Sequence, residues 1–200
     1  MNLSPTNAHM PAKSSRVEPQ PKRAVQPADF ESAFHSYWPR IHALLFRLTG
    51  DPDQAEDLAL EVFLRLHRQP RLLDPDQNLS AWLHRVAANL GYNALRAARR
   101  RQKYETAAGQ LDLQTNPSPD PAREAERTAE RIRVRRVLAT MKPRDAQLLL
   151  LRHSGLTYAA LAAALQLNPA SVGKLLSRAE KEFEKRYTNL TLPVVPNRDT

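Results

Sequence analysis

Between Asn78 and Lys103 the chain reads NLSAWLHRVAANLGYNALRAARRRQK, and no other stretch constrains the fold as much. It joins a helix-start signal, an apolar stripe and a basic end within one helix length. Ser80 is the predicted N-cap, and Leu83, Val86, Ala87, Leu90, Ala94 and Ala97 recur at steps of three and four, the spacing of one buried helical face. The opposite face carries Arg85, Asn89, Tyr92, Asn93, Arg96 and Arg100. The last eight residues hold five cations, Arg96, Arg99, Arg100, Arg101 and Lys103, and no acid. A solvated helix end favoured by the macrodipole and a surface for an anion both account for such a run. Asn and Tyr beside the arginines tilt the balance towards nucleic acid, because they hydrogen-bond to or stack on bases while arginines hold phosphates.

A formal net charge of +9 agrees with an acidic partner, nucleic acid being the commonest for a basic protein. With 5 glycines against 16 prolines and few β-branched runs, the chain is expected to be all-α. Its 200 residues, 42% of them hydrophobic, suffice for two small helical domains. The absence of cysteine excludes disulfides and cysteine-based metal sites or nucleophiles. No apolar run has transmembrane length and no apolar signal core opens the chain, so the expected location is the cytoplasm, without membrane insertion.

Residues 1–27 hold five prolines and no hydrophobic period, which predicts a disordered, mildly basic arm. A first module is expected over 28–103. Asp29 caps a helix carrying Phe30, Phe34, Tyr37, Ile41, Leu44, Leu45 and Leu48, which Pro39 splits or kinks near Trp38 and Gly50 ends. Asp51-Pro52-Asp53-Gln54 restarts the chain with a capping carboxylate, proline at the first helical position and Gln at the third. The helix that follows runs to about Arg68 with Ala55, Leu58, Val62 and Leu66 inward; its acids Glu56, Asp57 and Glu61 suit a helix N-terminal half without any further role. A proline-containing loop then leads to Ser80.

Residues 104–129, with NPSPDP inside them, are expected to be a flexible linker. A second module is expected over 130–187. One helix carries Ile132, Val134, Val137, Leu138 and Met141, and another carries Ala146, Leu149 and Leu150 and stops at Gly155. Thr157 then caps a short alanine-rich helix, and Asn168-Pro169 restarts the chain at once, a helix-turn-helix with Ala162, Val172 and Leu176 in its angle. Such a pair either packs a bundle or sets its second helix in a major groove, where Ser171, Lys174, Arg178 and Lys181 are the exposed candidates. Residues 188–200 are expected to fray.

Three segments together, LTGDPDQAEDLALEVFLRL (48–66), AWLHRVAANLGYNALRAARRR (81–101) and LLLLRHSGLTYAALAAALQLNPASVGKLLSRA (148–179), resemble the extracytoplasmic-function (ECF) sigma factors, small sigma-70-type subunits of bacterial RNA polymerase. The resemblance covers roughly 30–103 and 130–187. It implies two helical domains, sigma region 2 and sigma region 4, and a factor that brings core polymerase to promoters and promotes DNA melting. By the same resemblance Asp57, Leu58, Leu60, Glu61 and Leu64 dock on the clamp coiled coil of the largest polymerase subunit, with the flap as a further contact. Arg85, Asn89, Tyr92, Asn93 and Arg96 face bases or backbone of the −10 element, with Arg99, Arg100 and Arg101 on phosphates. Holding flipped bases requires stacking and hydrogen bonds that offset unstacking, a few kcal/mol per base. Residues 72–80 correspond to a base-capturing loop, and Ser171, Lys174 and Arg178 read the −35 element. An anti-sigma factor is an implied partner, and the free protein is implied to be a monomer.

The chain departs from the family pattern at Leu60, where Gln is usual, and mildly at Asn93, where Asp is frequent. Gly173, Leu175 and Glu180 stand where basic residues are expected. Each lost phosphate contact flattens the salt dependence by roughly one unit. Either the −35 sequence is unusual, or promoter choice rests on the first module. A sigma-like interaction protein that docks on polymerase or an anti-sigma factor without reading promoters is the alternative this depletion motivates. A helix-turn-helix repressor would leave the first module without a role. The six histidines, His9, His35, His42, His67, His84 and His153, show no metal-binding spacing, and neither a Gly-rich phosphate loop nor a Ser elbow occurs. No catalytic or metal residue, no cofactor and no enzymatic activity is therefore expected.

Overall fold

The computed structural model describes residues 27–108 and 121–191. Among them the chain forms seven α-helices and two short 3-10 turns, without a strand, as expected of an all-α protein. Helix α1 (Pro27–Thr49) ends at Gly50, whose φ of +74° suits glycine and whose N–H still donates to the Phe46 carbonyl at 2.8 Å. Helix α2 (Pro52–His67) begins as predicted. The Asp51 carboxylate accepts the N–H groups of Asp53 at 3.0 Å and Gln54 at 3.1 Å.

The split expected at Pro39 does not occur, because α1 runs through that residue. Pro39 and His35 are both exposed, so the carbonyl deprived of its N–H partner lies on the solvent side. On the inner side Phe34 stacks on Trp38 at 4.9 Å and tilts against Phe63 of α2 at 4.8 Å, Trp38 stacks across Pro39 on His42 at 6.0 Å, and Ile41, Leu44 and Leu45 beyond Pro39 are buried in the same core. Asp29 sits in the first turn rather than at the cap, since the helix starts at Pro27.

A 3-10 turn over Pro70–Leu73 and a short loop lead to helix α3 (Leu79–Ala108). Its cap is Asn78 rather than Ser80. The Asn78 side chain accepts the Ala81 N–H at 3.0 Å, so the helix starts before Ser80, which lies inside the first turn. Ile41, Leu44, Leu45 and Leu48 of α1 pack with Val62, Phe63 and Leu66 of α2 and with Leu83 and Ala87 of α3, all buried. Gly91 sets the crossing of α1 and α3: a Cβ there would lie 2.5 Å from Leu48 Cδ1.

The second module comprises α4 (Pro121–Thr140), α5 (Pro143–His153), α6 (Tyr158–Leu165) and α7 (Val172–Thr191), with a 3-10 turn over Pro169–Ser171. Thr157 Oγ1 accepts the Ala160 N–H at 3.2 Å and Asn168 Oδ1 accepts that of Ala170 at 3.0 Å, so both predicted caps are in place. Leu161, Ala162, Val172 and Leu176 are buried in the angle between α6 and α7. Arg186 of α7 donates to the Thr140 carbonyl at 2.7 Å, and the Tyr187 hydroxyl donates to the Glu130 carboxylate, which fastens α7 to α4.

Helix occupies part of the span 104–129 expected to be linker, at the end of α3 and from Pro121 onward, and α7 extends past 188. Residues 1–26, 109–120 and 192–200, which include most of the expected arm and tail, lie outside the described residues. Helix α3 touches α1 and α2 on one flank and α4, α5 and α6 on another, and the buried residues of both modules form one cluster. No described helix is long and apolar enough to cross a membrane.

Candidate nucleic-acid interface

Three faces carry the residues singled out by the sequence. On α2, Asp57, Leu60, Glu61 and Leu64 follow at helical spacing. Leu60 is 48% exposed and Leu64 45%, an apolar pair on an open face. Asp57 is exposed, and Glu61 is paired at 2.7 Å with Arg65. Leu58, by contrast, packs against the core.

On α3, Asn93, Arg96, Arg99, Arg100 and Arg101 are exposed and Arg85 is half-buried. Among the described residues no carboxylate pairs with any of these arginines. Tyr92 departs from the open polar face assigned to it. It is buried, with 2% of its surface exposed, and its hydroxyl donates to the Met141 carbonyl of the second module at 2.6 Å. Burial raises the Tyr92 pKa above its ordinary value, against the opposing pull of Arg96, Arg99 and Arg186. One turn earlier, Asn89 Oδ1 accepts the Gln147 side-chain N–H at 2.6 Å. Two further contacts close the same seam: Arg47 donates to Ser154 Oγ at 3.0 Å, and the Arg135 guanidinium lies against Gly50. Burial, then the like charge of Arg131, lowers the Arg135 pKa. Of the eight residues assigned to the −10 element, Asn89 and Tyr92 are thus tied to the second module.

Nothing in the local residue pattern marks Met141, Gln147, Ser154 or Arg135 as partners, because all four act across a seam between modules far apart in the chain. His84, also on α3, is buried, and its Nδ1 bonds to the Ser80 carbonyl at 2.7 Å, which requires the proton on that nitrogen. Burial lowers its pKa, helped by the charge of Arg40 and opposed by the bond to Ser80.

Ser171, at the end of the 3-10 turn, and Lys174 and Arg178 of α7 are exposed. Arg178 lies a loose 4.0 Å from Asp145, a buried carboxylate on α5. The depletion read from the sequence is smaller than expected. Leu175 packs against the core rather than facing outward, and Gly173 is half-buried with the Tyr158 ring 3.6 Å from where its Cβ would stand. Only Glu180 of the three positions is fully exposed.

With this geometry in view, residues 33–101 match sigma-70 region 2 and residues 131–183 match sigma-70 region 4. The chain belongs to the sigma-70 family. It is similar to a probable RNA polymerase sigma factor, RfaY, of Xanthomonas campestris, 31% identical over 142 residues that cover 70% of this chain and 35% of that protein. It is also similar to the ECF RNA polymerase sigma factor SigE of Mycolicibacterium smegmatis, 35% identical over 82 residues, 41% of this chain and 30% of the relative. SigW, an ECF RNA polymerase sigma factor of Bacillus subtilis, is 34% identical over 77 residues, 38% of this chain and 41% of that one. The chain therefore spans about a third of the length of the curated relatives it matches.

Two solved structures share the fold. The sigma factor RpoE of Bartonella quintana, crystallised with the anti-sigma factor NepR, gives a TM-score of 0.52 at 19% identity over 80% of this chain and 97% of that one. CnrH, in complex with the cytosolic domain of CnrY, gives 0.53 at 16% identity, over 82% and 89%.

Proposed function

We propose that this chain is a promoter-specificity factor: it binds core RNA polymerase, directs it to −10 and −35 elements through its two modules, and promotes melting without bond chemistry of its own. The observation that carries the reading is the order of the two matched regions, each bearing an outward surface suited to its task. In the first module, 28–103, the exposed Leu60 and Leu64 with Asp57 and Glu61 form the polymerase-docking face towards the clamp coiled coil, with Leu58 supporting it from beneath. Arg85, Asn89, Tyr92, Asn93 and Arg96 address the −10 bases and backbone, and Arg99, Arg100 and Arg101 its phosphates. In the second module, 130–187, Ser171, Lys174 and Arg178 enter the major groove at the −35 element, and the module meets the polymerase flap. The protein works as a monomer in the cytoplasm, and the structural neighbour RpoE, crystallised with the anti-sigma factor NepR, supports a partner of that kind here.

The test is run-off transcription with purified core polymerase on pooled genomic fragments, comparing the natural chain with an Asn89→Ala/Arg96→Ala double variant. Initiation at discrete sites by the natural chain, reduced by at least tenfold in the variant, is the expected outcome. Binding to core without initiation on any fragment would overturn the promoter-reading role.

A further inference from the structure

Where the modules meet, α3, α4 and α7 border an open cleft of about 890 Å³ lined by cations from all three helices. Arg96, Arg99, Arg100 and Lys103 line it from α3, Arg136 from α4 and Arg186 from α7, and no acid lines it. Five of these six have no carboxylate partner among the described residues. The sixth, Arg186, is held by Glu182 at 2.6 Å and by Thr140. Unneutralised cations facing one another across a seam repel and oppose its closure, so the packing gains from an anion between them.

The dimensions narrow the class of anion. At about 1.5 Å of rise per residue, Arg96 and Lys103 are offset by roughly 10 Å along α3, which suits several linked phosphates better than one. The volume lies within the range of small-ligand sites, roughly 300–1,000 Å³. Val137, Ala139 and Leu190 add an apolar lining on which a flat ring can rest. We infer that this cleft binds a small oligophosphate, of the nucleoside polyphosphate or inorganic polyphosphate class, and that the ligand clamps the two modules together. Arg96, Arg99 and Arg100 are also the cations proposed for promoter backbone, so an occupied cleft withholds them from DNA. That last consequence rests on the promoter reading, whereas the binding itself does not.

The experiment is isothermal titration of the full chain with inorganic tripolyphosphate, and separately with ATP and GTP, at fixed ionic strength without divalent cations. Arg136→Gln and Lys103→Gln are titrated alongside, with circular dichroism to confirm that both fold. One saturable site per chain is expected, weakened about tenfold by either substitution, with sulfate at matched ionic strength failing to compete. Tighter binding of ATP or GTP than of tripolyphosphate assigns the apolar lining to a base, and equal binding assigns the cleft to the phosphate chain alone. Hydrogen exchange at α4 and α7 should slow when the ligand binds the natural chain and stay unchanged for Arg136→Gln. Absence of saturable binding, or binding indifferent to both substitutions, overturns the proposal. So does binding of poly-glutamate in place of tripolyphosphate, which would give the cleft to an acidic polypeptide.

Discussion

The outward faces of α2 and α3 belong to one module, yet they stand in opposite conditions. On α2 the proposed polymerase-docking residues lie open, with Leu60 and Leu64 nearly half exposed. On α3 the second module covers part of the face proposed to read DNA: Tyr92 is buried against the Met141 carbonyl and Asn89 is bonded to Gln147. On the proposed reading, the closed chain is ready for polymerase before it is ready for a promoter: the modules would have to part for Tyr92 to reach a base, whereas Leu60 and Leu64 would need no rearrangement.

The sharpest way to break this contrast is to remove the open face. Leu60→Asp/Leu64→Asp places charge where an apolar contact is proposed, and affinity for core polymerase in a fluorescence-anisotropy assay should fall roughly hundredfold, as for loss of an interface hot spot. Both side chains are well exposed, so the thermal unfolding midpoint should stay within a degree or two. A smaller effect is expected from the covered face. Tyr92→Phe leaves the Met141 carbonyl without its donor, which costs about 1–3 kcal/mol at a buried acceptor. The seam then loosens, which hydrogen exchange should register as faster exchange at α4 and α5. Unchanged exchange would mean that this bond does not hold the modules.

His84 sharpens the account by pH. Its folded pKa is lowered, so the unfolded chain binds the proton more readily and folding stability is lost as pH falls below the ordinary histidine value of about 6.5. Urea midpoints at pH 7.5 and pH 5.5 should differ more for the natural chain than for His84→Gln. Equal differences would remove His84 as the source. The smallest effect belongs to α7. Gly173→Ala should stabilise the protein by up to about 1 kcal/mol, a rise of ~2–4 °C, because the new Cβ meets only the Tyr158 ring at an ordinary contact distance. A fall in the midpoint would show that the turn before α7 needs glycine for another reason.

Much of this was legible in the residues. The caps at Asp51, Thr157 and Asn168 are local devices whose donors lie two or three residues away, and each was found where its side chain and proline spacing predicted. The inward stripes of α1 and α2 follow largely from helical period, whereas on α3 Leu83 and Ala87 are buried as expected but so are Ala88, Tyr92 and Leu95, outside the predicted stripe. Helix ends and special positions were harder wherever a neighbour decided them. Asn78 rather than Ser80 caps α3 because both can accept a donor in the same turn, and core packing of residues on both sides of Pro39 carries α1 through it. Tyr92 was placed on the open face of α3 because period tells which side of a helix faces its own module, not whether another module lies on the other side. Leu175 was likewise counted as a missing cation by position, although its side chain packs inward.

The central claim is that the modules are closed in the free protein and part when α3 takes up a promoter. The chain has no cysteine, so single cysteines at the exposed positions Ser36 and Glu184 can carry a donor and an acceptor dye without competing sites. Energy transfer should be high in the free chain, and should drop when core polymerase and a promoter fragment that supports run-off transcription are both present. Transfer that stays at the free-chain level while transcripts are being made would contradict the claim.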